Sequence, residues 1–195
     1  MCGWGTVEME DGRNITGSKV VLREIEKQDR GMLLGLIRDP EIVKVTKGYQ
    51  SPVPAVYSMN SSGFLQVPAG SFRRIIADQE DPETGLGIIM LSDVNTAGRS
   101  AQIQIKLVKY ARGKGYGRDA VNALVCYAFQ EMGLICVSSS ILEDNMASRR
   151  LFEACGFRQE GIHESRADKN GHCRKVCSYV KRNTERQNRY LQESE

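Results

Sequence analysis

The stretch Arg112-Gly113-Lys114-Gly115-Tyr116-Gly117 decides how this chain is read. An alternating, strand-like run precedes it, and a long amphipathic segment follows it. A strand-to-helix junction leaves the first backbone N–H groups of the helix without partners inside it. Those donors, together with the positive end of the helix dipole, suit a phosphate or a pyrophosphate. The glycines let a ligand approach the backbone closely. Two common glycine motifs do not fit the spacing. A nucleoside-triphosphate loop requires Gly five residues before Gly-Lys and Ser or Thr after it, but Val108 and Gly115 occupy those positions. A dinucleotide fingerprint requires G-x-G-x-x-G after the first strand of a parallel unit, but the glycines here stand at 113, 115 and 117, late in the chain.

The surrounding pattern is that of an α/β (α+β) domain. Lys19–Ile25 alternates as a strand, and Asp29 is placed to cap a helix that carries Met32, Leu33, Leu36 and Ile37 and stops before Pro40. Ser51–Gly70 holds Pro52, Pro54 and Pro68 and reads as a loop or short broken helix, either a wall over a site or an ordinary surface loop. Phe72–Ala77, Leu86–Val94 and Ser100–Val108 are strands joined by turns, hence an antiparallel meander. After the glycine-rich junction a helix runs to Gly133. Leu134–Leu142 is a strand, Asn145 opens a second helix closed by Gly156, and Phe157–Arg166 and Arg174–Val180 pair around Asp168–Gly171.

Composition sets outer bounds. With 195 residues, 41% hydrophobic and 26% charged, the chain is expected to form one domain. The pattern gives an extension over 1–18, a folded unit over 19–182 and a polar tail over 183–195. No apolar run is long enough for a membrane span, and a cytoplasmic location is expected. Six cysteines without a C-x-x-C pair, and only two histidines, make a metal site unexpected. Residues 1–98 carry 10 Lys/Arg against 13 Asp/Glu, whereas 99–182 carry 15 against 8. The cationic half thus holds the glycine-rich junction, as a polyanionic ligand requires. It has no dense basic stripe with interleaved aromatics, so nucleic-acid binding is not expected.

Arg112, Gly115 and Gly117 also fill, in register, the acetyl-CoA motif Q/R-x-x-G-x-G/A of the GNAT acetyltransferases. The stretch "IQIKLVKYARGKGYGRDA" (103–120) resembles the strand, loop and helix start of that superfamily, and "NMASRRLFEACGF" (145–157) resembles its second signature. "VVLREIEKQD" and "EGIHESRADKNGHCRKVCSYV" resemble the first strand and closing hairpin of its ribosomal-protein N-terminal (Rim-type) branch. The resemblance runs from about Lys19 to Arg182. It implies a mixed sheet of six to seven strands with an antiparallel N-terminal meander, splayed central parallel strands and flanking helices. It also implies acetyl-CoA as cosubstrate, its pyrophosphate held by the N–H groups of Arg112, Gly113, Lys114, Gly115, Tyr116 and Gly117. Arg112, Lys114 and Arg118 would add charge. Asn145 and Ser148 would meet the pantetheine arm, and a backbone N–H around Leu107 or Val108 would meet the thioester oxygen.

The implied reaction is direct attack of a primary amine on the thioester, and it calls for a base. Gln102 and Gln104 stand on the strand where some relatives carry a glutamate; the candidates are Glu160, His163 and Glu164, near where acceptors enter in relatives, with Glu143 and Asp144 at the end of the central strand. Phe152 stands where many relatives place a proton-donating tyrosine. The expected acceptor is a protein N-terminus or a small amine such as a polyamine or an aminoglycoside, and a homodimer is compatible with the pattern. A GNAT fold that binds acyl-CoA with little turnover, as a sensor or assembly module, is the other reading.

Overall fold

The computed structural model describes residues 14–46, 71–164 and 173–184. The expected loop over 51–70, the turn over 168–171 and most of both termini lie outside them. The chain runs β1 (Ile15–Thr16), β2 (Val20–Arg23), α1 (Arg30–Arg38), α2 (Pro40–Thr46), β3 (Phe72–Asp78), β4 (Gly85–Asn95) and β5 (Ser100–Leu107). It continues through α3 (Tyr116–Gln130), β6 (Cys136–Leu142), α4 (Met146–Ala154), β7 (Arg158–Glu164) and β8 (Lys175–Arg182). The strands form one sheet in the order β1-β2-β3-β4-β5-β6-β8-β7. Neighbours are antiparallel except β5 and β6, which run parallel.

Eight strands replace the expected six to seven because Ile15 and Thr16 pair with Leu22 and Val21. The sheet therefore includes Ile15 and Thr16, within the stretch read as an extension. Its anchor is Asp119, in the first turn of α3. The Asp119 carboxylate accepts backbone N–H groups from Ser18 (3.1 Å), Lys19 (2.7 Å) and Val20 (3.0 Å). A Cβ at Gly17 would collide with that carboxylate. Asp119→Ala should strand three donors and lower unfolding free energy by about 1–3 kcal/mol, read as a shifted urea midpoint.

Two details at the first helix differ from the sequence reading. Asp29 is not a side-chain cap of α1. It is buried and ion-paired with Arg23, and accepts the Glu26 N–H at 2.8 Å. Pro40 does end α1, but it also starts α2, because a proline at the first helical position has no N–H to leave unpaired.

The sheet has two differently covered faces. On one, Ala101 and Ile103 of β5 pack with Ala120, Val121, Leu124 and Ala128 of α3 and Phe152 of α4, with Ile105 and Leu107 against them. On the other, Leu33, Leu36 and Ile42 from α1 and α2 cover Ile75, Ile88 and Met90. Strand alternation turns Gln102, Gln104 and Lys106 toward this second face, where Lys106 lies opposite Ile88.

Candidate active site

The site arises from an interrupted ladder. β5 pairs with β6 only through Ser100, Ala101 and Gln102 against Cys136, Val137 and Ser138. Beyond Gln102 the two strands part, and a cavity of about 630 Å³ opens between them. The Val108 N–H donates to the Leu86 carbonyl of β4 at 3.0 Å. By alternation the backbone groups of Ile105 and Leu107 point the opposite way, into the gap. Of the two residues expected to meet a thioester oxygen, Leu107 therefore retains a suitable N–H, while that of Val108 is already bonded within the sheet.

One end of the cavity is the glycine-rich junction. Gly115 is the residue before α3 and has φ +91°, and Gly113 has φ +74°. Both are left-handed conformations that glycine adopts without strain. Gly117 sits where a Cβ would come within 3.2 Å of Leu107 Cδ1. Gly113, Gly115, Gly117 and Arg118 line this end, facing Asn145, Ser148 and Arg150 at the start of α4. Asn145 caps α4: its Oδ1 accepts the Ser148 N–H at 3.2 Å.

The remaining junction residues, Arg112, Lys114 and Tyr116, hold the loop in place. The Tyr116 hydroxyl donates to Asp78 at the end of β3, which draws the Asp78 carboxyl below and pushes the Tyr116 phenol above their usual ranges. The Lys114 carbonyl accepts the Lys19 ammonium at 3.5 Å. Arg112 touches the cavity but is turned to a different task. Its Nε donates to the Leu107 carbonyl at 3.0 Å, and its two terminal nitrogens bind Asp39 and Glu41. Burial pushes the Asp39 carboxyl up, but the Arg112 hydrogen bond and the Glu41 N–H outweigh it and hold it low. Arg112 thus ties the end of β5 to the α1–α2 turn, and the phosphate charge expected of it is committed elsewhere.

The other end of the cavity faces α2. Glu41, Ile42 and Val45 line it together with Gln102, Gln104 and Lys106. Desolvation holds the Lys106 ammonium below the ordinary lysine range. Ser140 of β6 also borders the cavity.

Glu160, His163 and Glu164 do not line it. All three are exposed on β7, at the sheet edge beyond β8. The Glu160 carboxylate is bound by Arg182, whose hydrogen bond holds it below the usual range. Glu164 ends β7, opposite Lys175. His163 instead contacts the neighbouring strand. Its Nδ1 lies 3.4 Å from Ser178 Oγ on β8, and Ser178 stands opposite Ser140. Phe152 lies at the cavity wall, buried edge-on against Phe157 with ring centroids 4.9 Å apart. Cys136 and Cys155 have thiols raised by burial, the opposite of an activated nucleophile.

A split between parallel strands with a glycine-rich helix start at one end has a counterpart among known proteins. The acetyltransferase (GNAT) domain family matches residues 19–158. The chain belongs to the GNAT acetyltransferase family.

This GNAT is thereby an N-acetyltransferase that uses acetyl-CoA. It is 26% identical over 145 residues to a spermidine N(1)-acetyltransferase of Vibrio cholerae serotype O1, covering 74% of this chain and 82% of the relative. It is 34% identical over 97 residues to a putative ribosomal N-acetyltransferase of Bacillus subtilis, covering 46% and 53%. A crystal structure of the Vibrio cholerae spermidine N-acetyltransferase with CoA and spermine superposes with TM-score 0.68 at 20% identity, covering 87% of this chain and 99% of that one. No helix among the described residues of this GNAT is long and apolar enough to cross a membrane. The sequence motif pointed to the glycines, Asn145 and Ser148, but Lys19, Glu41, Lys106 and Arg150 had no motif to mark them. They reach the site from separate parts of the chain, and only strand alternation gave a hint, for Lys106.

Proposed function

We propose that this GNAT transfers an acetyl group from acetyl-CoA to a small primary amine by direct attack on the thioester. The observation that carries this reading is the single cavity through the β5–β6 split, which joins the glycine cradle to the α2 face. The backbone N–H groups of residues 113–117, with Arg118, Arg150 and Lys19, hold the phosphates. Asn145 and Ser148 border the path of the pantetheine arm. When bound, the cosubstrate supplies the activated acyl group. The Leu107 N–H faces the gap where charge develops on the thioester oxygen. A small acceptor is favoured because Ile42 and Val45 wall the far end, and the Vibrio cholerae relative is named for a small amine.

The base in this reading is His163, acting through the hydroxyls of Ser178 and Ser140. The acceptor ammonium must lose a proton before it attacks, and a neutral imidazole can accept one. Each hydroxyl can both accept and donate, as a relay from the cavity wall to β7 requires. His163→Gln should lower kcat by about 10²-fold, with Ser178→Ala acting in the same direction. An unchanged kcat in both variants would remove His163 from the mechanism.

A thiol-release assay tests the function as a whole, with spermidine, an aminoglycoside and peptides with free N-termini as acceptors. Release with a small amine exceeding that with any peptide is expected. Tight acetyl-CoA binding with no release for any acceptor would favour the sensor reading, for which Phe152 in place of a proton donor is the supporting observation.

A further inference from the structure

The helix α2 walls the acceptor end, yet little packing holds it there. It spans seven residues, too few for a helix to be stable by itself, and among residues 40–45 only Ile42 is buried. Two arginines reach it from opposite sides of the cavity. Arg112 binds Asp39 and Glu41 near its start and the Leu107 carbonyl at the end of β5. Arg174, the residue before β8, binds its other end. One terminal nitrogen of Arg174 donates to the Lys44 carbonyl at 2.9 Å, and the other donates to both oxygens of Asp144, at 2.9 Å and 2.8 Å. Lys44 lies in the last turn of α2, where carbonyls lack partners within the helix and the dipole favours a cation. Asp144 lies in the turn between β6 and α4. Leu142 and Asn145, on either side of it, line the cavity, as do Ile42 and Val45 on either side of Lys44.

We infer that Arg174 and Asp144 latch α2 across the acceptor end of the cavity, which makes Arg174 a positioning residue for the acceptor amine. This rests on the acetyl-transfer reading above. The two strands whose divergence opens the cavity are each joined to α2 by a guanidinium, β5 through Arg112 and the β6 side through Arg174. The joints differ in strength. The Asp39 side chain is 16% exposed where it meets Arg112, whereas that of Asp144 is 60% exposed where it meets Arg174. An ion pair so open to water is weak and is screened by salt. The Arg174 end of α2 is therefore the end that yields first, and Ile42 and Val45 move with it. The glycine cradle lies at the opposite end of the cavity, so acetyl-CoA binding does not depend on this joint. Asp144, with both oxygens bound, serves as an anchor and not as a base.

The experiment is a double-mutant cycle with spermidine as acceptor and thiol release as readout. Arg174→Ala and Asp144→Ala should each raise the KM for spermidine by about fivefold, the upper scale of an exposed ion pair, with kcat and the KM for acetyl-CoA changed by less than about twofold. The double variant should be no worse than either single one, because both remove the same joint. A direct charge effect on a cationic amine would instead move the two single variants in opposite directions. Arg174→Lys, which keeps the charge without the fork, should fall between the wild type and Arg174→Ala. Hydrogen exchange of the α2 amides reads the latch without turnover, and should be faster by about fivefold in both alanine variants with α3 unchanged. If no thiol is released with spermidine but α2 exchange still rises, the transfer reading fails for this amine and the latch stands. Additive effects in the double variant, opposite effects in the two single ones, an unchanged KM for spermidine, an equal rise in the KM for acetyl-CoA, or unchanged α2 exchange would overturn the inference.

Discussion

Gly115→Val is expected to abolish CoA binding while leaving the fold in place. With CoA at about a hundredfold its dissociation constant, the wild type should gain about 2.7 kcal/mol, a rise in Tm of roughly 5–10 °C for a chain of this size. In the variant the rise should vanish. Two effects act together. Valine at φ +91° imposes a left-handed conformation that branched residues resist, at a cost of about 1–2 kcal/mol. Its side chain also projects into the cradle. The nearest protein atom to a Cβ there is Lys19 Nζ, at 3.7 Å, so the added atoms meet ligand space and not the core. Circular dichroism should remain that of a folded protein. A CoA-induced shift that persists in Gly115→Val would show that the pyrophosphate lies elsewhere.

Asp29→Ala should produce the largest loss of stability of any single change discussed. The Arg23–Asp29 pair is bidentate, with both contacts at 2.8 Å, and both residues are buried. The remaining donors of Arg23 are bonded as well, to the carbonyls of Pro82 (2.7 Å), Glu83 (3.1 Å) and Glu24 (2.9 Å). The Asp29 hydrogen bond holds the guanidinium even further above its ordinary range. Removing the carboxylate leaves a buried cation without its counter-charge, a defect of about 3–5 kcal/mol. Thermal denaturation should show Tm lowered by roughly 10 °C or more. Arg23→Met combined with Asp29→Leu should recover part of the loss, because the penalty comes from the orphaned charge and not from the absence of a salt bridge. A single variant as stable as wild type would mean the pair is dispensable.

The sequence was most informative where structure is local. The alternation of Val20, Leu22 and Ile103–Leu107, the helical spacing of Ala120–Phe129 and the glycines after α3 and α4 all read correctly, because each pattern is set within a few residues. Asn145 as a cap was legible for the same reason. Elements that depend on distant partners were not. Ile15–Thr16 is too short to show a period and becomes a strand only against β2. Asp29 has the local look of a helix cap, and its partner Arg23 is the last residue of a separate element, β2. Pro40 signals a stop to one helix and a start to the next with the same chemistry. The candidate site was half legible. Its cradle is a contiguous motif, whereas its acceptor end is assembled from α2, β5 and β6 by a divergence of strands that no single segment encodes.

Arg112 gives a caution about reading motifs through mutagenesis. It is the first residue of the acetyl-CoA signature, so a defect in Arg112→Ala invites the conclusion that a phosphate contact was lost. Yet the guanidinium rivets three pieces together: the Leu107 carbonyl beside the donor groove, Asp39 at the helix bend and Glu41 in the acceptor wall. Donor groove and acceptor wall are in this sense fastened to one another through one side chain among others. A residue can occupy a binding signature because it squares the frame in which both substrates are held, and its loss then registers on both sides of the reaction at once.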